Sequence, residues 1–331
     1  MENTFQLNFV NRLKQFRTSD TLLVEDLVEV LQISADSVYR RLRGTTAMSI
    51  DEAIRICNHF RIPITYFVEE TPGLVNFKYL PPESRKENFH KHLQMIASAV
   101  NELLDHENRK IIYAAIDAPL FYHFGIEKLA AFKMHFWMRV ILGVDSFKDY
   151  YDEREIDREF LALGKNIYED YLMIPSDEIW PEDILQTTLK QIEFYWDAGY
   201  FKTPEETIDI LNHLSSMIDN VEKMAINSHK LKFDDKSMQK YAAFNLFHSD
   251  VLPGNNTVLS IADKKTVYIS HMTFHTMITG SEAYVNHTED WLKAIMSKST
   301  LISGVSEKNR IKFFRALRRS VEEVIDKVKP R

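Results

Sequence analysis

Three arginines fall within four residues of the stretch LQISADSVYRRLRG, as Arg40, Arg41 and Arg43. A guanidinium keeps its charge at physiological pH and presents a planar fork of N–H donors. That fork suits phosphate oxygens and the O6/N7 edge of guanine. Charge alone would make this an ordinary solvated helix face, since the whole chain carries a net charge of -7 at pH 7. Further cations gather at Arg12, Lys14 and Arg17 and in the closing EKNRIKFFRALRRSVEEVIDKVKPR. The field near a phosphate depends on such placement, not on the total.

Other reactive side chains are sparse. His271 and His275 lie four apart in HMTFH, a spacing that would put both on one helix face for a metal ion. No glutamate follows the first, as a zinc-protease motif requires, and the pair adjoins a predicted hairpin. They read as ordinary polar or core histidines. Asp117 offers a carboxylate to an enzymatic alternative. Cys57, the single cysteine, reads as core packing and excludes an intramolecular disulfide. The sequence has no glycine-rich phosphate loop, no nucleophile elbow and no cysteine pair. It therefore predicts no catalytic residue, no metal and no cofactor.

What must position the arginines is a set of short helices. Phe5, Phe9, Leu13 and Phe16 recur at helical spacing. LLVEDLVEVL follows with Leu23, Leu27 and Val30 or Leu31 on one face, and Ser19 and Asp20 as candidate caps. Gln32 and Ile33 leave room only for a tight turn before Ser34, whose hydroxyl can accept from an amide of the next first turn. Asp36 in that turn suits the positive end of the helix dipole. The third helix, ADSVYRRLR, turns Val38 and Leu42 inward and leaves Ser37, Tyr39 and the arginines on or near its other faces. Gly44 ends it as a left-handed cap. Ser49 and Glu52 form a capping box for a fourth helix, in which Ile54 and Cys57 share a face supported by Ile56 and Phe60. A fifth short helix follows Pro63, with Tyr66 and Phe67 closing the core.

Two helices joined by a tight turn, the second polar and arginine-rich, form a helix-turn-helix unit. The runs DLVEVLQISADSVYRRLRG and SIDEAIRICNHFRIPITYFV resemble the five-helix lambda-repressor-like, or XRE-type, DNA-binding domain over about residues 4–70. That family's turn often carries glycine where this chain has Gln32, and a left-handed conformation there costs a non-glycine residue roughly 1 kcal/mol. The resemblance implies a recognition helix over residues 35–43, with Ala35, Asp36, Tyr39 and Arg40 facing base edges. Arg40 would donate two bonds to guanine O6 and N7, worth ~1–3 kcal/mol of discrimination. Ser34, Ser37, Arg43 and Thr45 stand where phosphates are expected. Arg41 either reaches a phosphate or pairs with an acidic neighbour.

Residues 71–88, TPGLVNFKYLPPESRKEN, read as an extended linker in which part of NFKYL docks as a strand. Beyond it helical signals dominate. Phe89, Leu93, Ile96, Val100 and Leu103 line one face, and IEKLAAFKMHFWMRVIL forms another helix. Thr203, Pro204 and Glu206 mark a capped start. Ile311, Phe314, Leu317, Val321 and Val324 share one side of the last helix. Only NNTVLSIADKKTVYISH breaks the rhythm, and it predicts a β-hairpin turning at residues 263–265. The predicted fold is mainly α. It comprises a five-helix N-terminal domain (residues 1–70), a linker (71–88) and a larger, mainly helical C-terminal domain (89–331) with one short β-hairpin.

With 331 residues, 45% apolar and 27% charged, the chain can bury cores for more than one domain. Nine glycines are few for a nucleotide-binding α/β enzyme. No run of eighteen apolar residues occurs and MENTFQLNFVNRLK lacks a signal-peptide core, so a soluble cytoplasmic protein with no membrane partner is expected. Together these readings predict a non-enzymatic, sequence-specific transcriptional regulator. Its partners are double-stranded DNA and a second copy of the chain, with room for a small-molecule or peptide effector. The alternatives are an enzyme or protein-interaction module with an attached DNA-localising head, and an interaction protein whose head has lost DNA binding, since residues 1–70 hold ten acidic against eight basic side chains.

Overall fold

The computed structural model describes residues 4–17, 19–64, 67, 73–81, 83–147, 150–251, 254–271 and 275–328, without the side chains of Thr4 and Gln15. The chain divides into two compact units, Met1–Asn76 and Phe77–Arg331, the division falling within residues 71–88.

In the first unit, α1 (Thr4–Leu13), α2 (Asp20–Leu31), α3 (Ala35–Leu42) and α4 (Ile50–Phe60) enclose a core that includes Phe9, Leu13, Leu27, Val38, Ile56 and Phe67. Each start after the first is capped by a serine. Ser19 accepts from the Leu22 amide, Ser34 from Ser37 and Ser49 from Glu52. The buried stripe of α1 is Gln6, Phe9, Val10 and Leu13 rather than the phenylalanine ladder, and Phe5 is 49% exposed. A step of about 100° per residue explains this: positions i, i+3, i+4 and i+7 make a tighter stripe than one reaching to i+11. In α4 the inward pair is Ile56 and Cys57, while Ile54 faces out. The expected fifth helix lies mostly outside the described residues, as does Tyr66. Phe67 is described, and its ring meets Phe9 at 4.2 Å.

The second unit is not a mainly helical body with one hairpin. Its centre is a nine-stranded mixed sheet. The strands are β1 (Lys78–Tyr79), β2 (Lys110–Ala114), β3 (Ser176–Trp180), β4 (His229–Leu231), β5 (Lys240–His248), β6 (Thr257–Ile261), β7 (Thr266–His271), β8 (His275–Thr279) and β9 (Thr300–Leu301). They run in the order β1-β8-β7-β6-β2-β3-β5-β4, with β9 also on β5. The expected hairpin is present as β6–β7, but as two strands of this sheet. β2, β3 and β5 are mutually parallel. Parallel neighbours need long crossovers. The chain supplies helices there: α6 (Leu120–Phe124), α7 (Glu127–Phe136) and α8 (Arg158–Leu172) lead to β3, and α9 (Gln186–Asp197) and α10 (Pro204–Asn227) lead on towards β5.

Alternation along β2 defines the layers. Ile111 and Tyr113 join the large core, with α5 (Lys86–Leu104), α8, α10 and α12 (Glu307–Val328). Ile112 and Ala114 join a smaller core, with Val285, Leu292 and Ile295 of α11 (Glu282–Lys298). Both faces are covered, as parallel strands require. On α12, Phe313 is buried and the expected Ile311 is exposed. Among the described residues no helix is long and apolar enough to cross a membrane.

Candidate nucleic-acid interface

Helix α3 is held by a small number of strong contacts on its inner side. Val38 is fully buried. Ahead of it, Gln32 takes the left-handed conformation (φ 56°), and its amide donates to the Val28 carbonyl at 2.9 Å. Ser34 Oγ lies 2.9 Å from Ser37 Oγ and accepts from the Ser37 amide at 3.3 Å. After the helix, Gly44 has φ 75°, and a Cβ there would come within 3.2 Å of Leu7. Both the positive φ and that closeness favour glycine.

Arg41 turns inward. It makes a bidentate pair with Glu52, at 2.8 Å between Nη2 and Oε1 and 3.1 Å from Nε to each oxygen. The side chains are only 18% and 11% exposed. Glu52 also accepts from the Ser49 amide at 2.9 Å, so one carboxylate ties α3 to the start of α4. Burial pushes the pKa of Glu52 up, but bonds from Arg41 and Ser49 outweigh it and the net direction is down. Of the two readings open for Arg41, the structure gives the acidic neighbour, eleven residues away.

A second clamp is Gln6, which residue patterning did not single out. Its Nε2 donates to the carbonyls of Arg41 (2.7 Å) and Thr46 (2.9 Å), and its Oε1 accepts from the Met48 amide (2.9 Å). One buried amide thus fixes the loop after α3 to α1. The available signal was a glutamine on the apolar stripe with Phe9, Val10 and Leu13.

The outer side is left to solvent. Ser34, Ala35, Asp36, Tyr39, Arg40, Arg43 and Thr45 are exposed, and Ser37 is half-buried. Arg40 pairs with Asp36 one turn earlier, the side chains being 62% and 69% exposed. The Arg43 guanidinium lies over the Tyr39 ring at 5.8 Å. Thr45 donates its hydroxyl to the Arg40 carbonyl at 3.0 Å. Elsewhere the basic clusters pair with acids: Lys14 with Asp20, Arg17 with Asp26, and Arg318 with Asp219 and Glu222.

The other candidates go to separate places. His271 and His275 are directly paired across β7 and β8, so their spacing of four is that of a hairpin, not a helix turn. His275 is buried with its ring 5.2 Å from that of His92. Asp117 accepts from Thr188 at 3.1 Å and pairs with the buried Lys133 at 3.3 Å, whose ammonium also donates to Gln191 at 2.9 Å. Cys57 is buried, and burial raises its thiol pKa. Among the described residues, no three His, Cys, Asp or Glu side chains are grouped to hold a metal ion. Compared with known protein families, curated proteins and solved structures, the chain matches none.

Proposed function

We propose that the first unit reads double-stranded DNA in the manner of the lambda-repressor-like domains it resembles, and that the chain is a dimeric, cytoplasmic transcriptional regulator rather than an enzyme. What supports this reading is the division of labour on α3. Val38, Arg41 and the Gln6 clamp fix its inner side, while Tyr39, Arg40 and Arg43 are left outward with no structural duty beyond one another and Asp36. A helix that only packs does not need three such side chains on a rigid outer face.

Magnitudes decide whether Arg40 is available. An exposed i,i+4 ion pair is worth at most ~1 kcal/mol, whereas a bidentate contact to guanine contributes ~1–3 kcal/mol of discrimination. Arg40 therefore exchanges Asp36 for a base edge when a groove is offered. Asp36 then stands beside a cytosine amino group or repels a wrongly placed phosphate. Ser34, Ser37, Arg43 and Thr45 take phosphates, and Ala35 and Tyr39 offer apolar contact to thymine methyls. One head of this size makes few base contacts, so two heads on half-sites about one turn, ~34 Å, apart give the needed selectivity.

Selection from random duplexes with the full chain tests the reading. A two-fold symmetric consensus is expected, with binding that weakens steeply as salt rises. Arg40→Ala should relax preference at one position per half-site. Arg43→Ala should weaken all sequences alike and lower the salt slope by about 1 per head. No enriched sequence, or enrichment indifferent to both substitutions, would sink it.

A further inference from the structure

Between α5 and the sheet, the second unit holds a cavity of about 130 Å³. Strand register builds its floor. Tyr113, Val258, Tyr268 and Ile278 are successive cross-strand partners on β2, β6, β7 and β8, and so lie in one row on one face. Two residues along, Ser270 pairs with Thr276, and the Ser270 amide donates to the Asn256 carbonyl. This second row is polar. The roof is apolar throughout, from Met95, Ile96 and Ala99 of α5 to Phe121 of α6. Most of its lining is only half-buried, so it opens to solvent, and its volume is about tenfold the space a water needs.

The polar row faces the cavity with donors. Asn256 Oδ1 already accepts from the amides of Ile116 (2.7 Å) and Asp117 (3.3 Å), so its amide N–H groups are what it has to offer. Ser270 Oγ accepts from the Asn256 amide at 3.1 Å, which leaves its proton for another partner. Tyr113 keeps its proton, because burial and then the charges of Asp117 and Glu178 push its pKa up. Among the described residues that line it there is no lysine, arginine or histidine. A carboxylate ligand would be partly desolvated there without a counter-charge. A pure hydrocarbon would leave the donors unmatched.

We propose that this cavity is a binding site for a small, neutral, mostly apolar molecule with one acceptor oxygen: a ketone, ester or lactone of about one ring. The size follows from the volume, close to that of an engineered apolar cavity of ~150 Å³ that holds benzene. The site lies wholly in the second unit and goes beyond the DNA reading without depending on it.

The test uses the full chain with no DNA present. Acetophenone, ethylbenzene and benzoate are titrated in turn and followed by saturation-transfer NMR. Acetophenone should bind about tenfold more tightly than ethylbenzene, which has the ring without the acceptor, and benzoate should bind most weakly. Ala99→Phe, which fills the cavity from its roof, should abolish acetophenone binding. Met95→Trp serves the same end if circular dichroism shows that the first variant is unfolded. Tyr113→Phe should pull acetophenone down towards ethylbenzene and leave ethylbenzene unchanged. Absence of acetophenone binding at millimolar concentration overturns the proposal, as does binding that both roof variants leave intact. Equal affinity for ethylbenzene, or a preference for benzoate, overturns the assigned ligand class. Because no duplex is involved, none of these outcomes touches the reading of α3.

Discussion

The two units treat charge in opposite ways. In the first, most charged side chains stay at the surface, and the main exception is Glu52 with its Arg41. In the second, charge is taken inside and surrounded. Glu178 is fully buried and accepts from the hydroxyls of Tyr122 (2.6 Å), Tyr171 and Ser176 (3.0 Å) and from the Trp180 indole (3.0 Å). Lys230 is equally buried, donates to the carbonyls of Tyr171 (2.8 Å) and Ile174 (2.7 Å), and lies 3.2 Å from the centre of the Tyr171 ring. Buried charges so thoroughly partnered act as architecture. On the outer side of α3, by contrast, Arg40 and Arg43 make only exposed contacts, with Asp36 and with the Tyr39 ring. The same residue types therefore carry different meanings in the two units, and burial with partner count tells them apart.

Glu178→Ala breaks the contrast most severely. It strands four donors in the core, each costing ~1–3 kcal/mol when unmatched, and we expect a loss of ~4 kcal/mol or more in the second unit. All four tryptophans lie in that unit, at positions 137, 180, 196 and 291, so a denaturant titration followed by tryptophan fluorescence reads it selectively. Glu178→Gln should lose less. If Glu178→Ala costs under ~1 kcal/mol, the buried network does not hold the second unit together.

In the first unit the matching change is Arg41→Ala. It leaves Glu52 buried without its bidentate partner, and the partial exposure of the pair reduces the penalty for a buried pair to ~2–3 kcal/mol. Amide hydrogen exchange over α3 and α4 measures it. Arg41→Lys should recover only part, since an ammonium cannot make the fork. A pH dependence sharpens the same contrast. Burial lowers the pKa of Lys230 to about 7, with Glu178 opposing it. Between that value and the unfolded one near 10.4 the unfolded chain binds more protons, so stability rises with pH across the window. The Lys230 contribution should be about 1 kcal/mol per pH unit from pH 7 to 9. The Lys230→Met variant should lack that slope by tryptophan fluorescence, and an identical slope would show that the ammonium is not held at a cost.

The helices of the first unit were legible because their signals are local: Ser34, Ser49 and Glu52 act within one turn of themselves, and Gly44 ends α3 where a positive φ is needed. The inner face of α1 was misjudged because a buried glutamine looks polar until its three partners, 35 to 42 residues away, are known. The sheet was missed for a related reason. β3 reads SDEIW, five residues that are all buried yet mostly polar, because Glu178 brings its donors from distant helices. β2 is KIIYA, a short apolar run with both faces covered, and such a run shows no alternation. Only three strands announced themselves: β1 within NFKYL, which docks on β8, and β6 and β7, through β-branched residues around a polar turn. The residues of the candidate interface were legible by type, but which arginine turns inward was not, since that depends on Glu52 across the fold.

The smallest expected effect concerns the turn that aims α3. Gln32 holds a left-handed conformation, which costs a residue with a Cβ roughly 1 kcal/mol relative to glycine. Gln32→Gly relieves that cost, while the added freedom of the unfolded chain takes part of it back, so a gain of ~0.5 kcal/mol is expected. Because glycine adopts the geometry already present, the helix keeps its tilt, and hydrogen-exchange protection over α3 should rise slightly while the preferred duplex stays the same. A changed base preference with unchanged stability would mean that the turn in solution is not the left-handed one. The division between an anchored inner face and an available outer face would then have to be drawn around a different helix orientation.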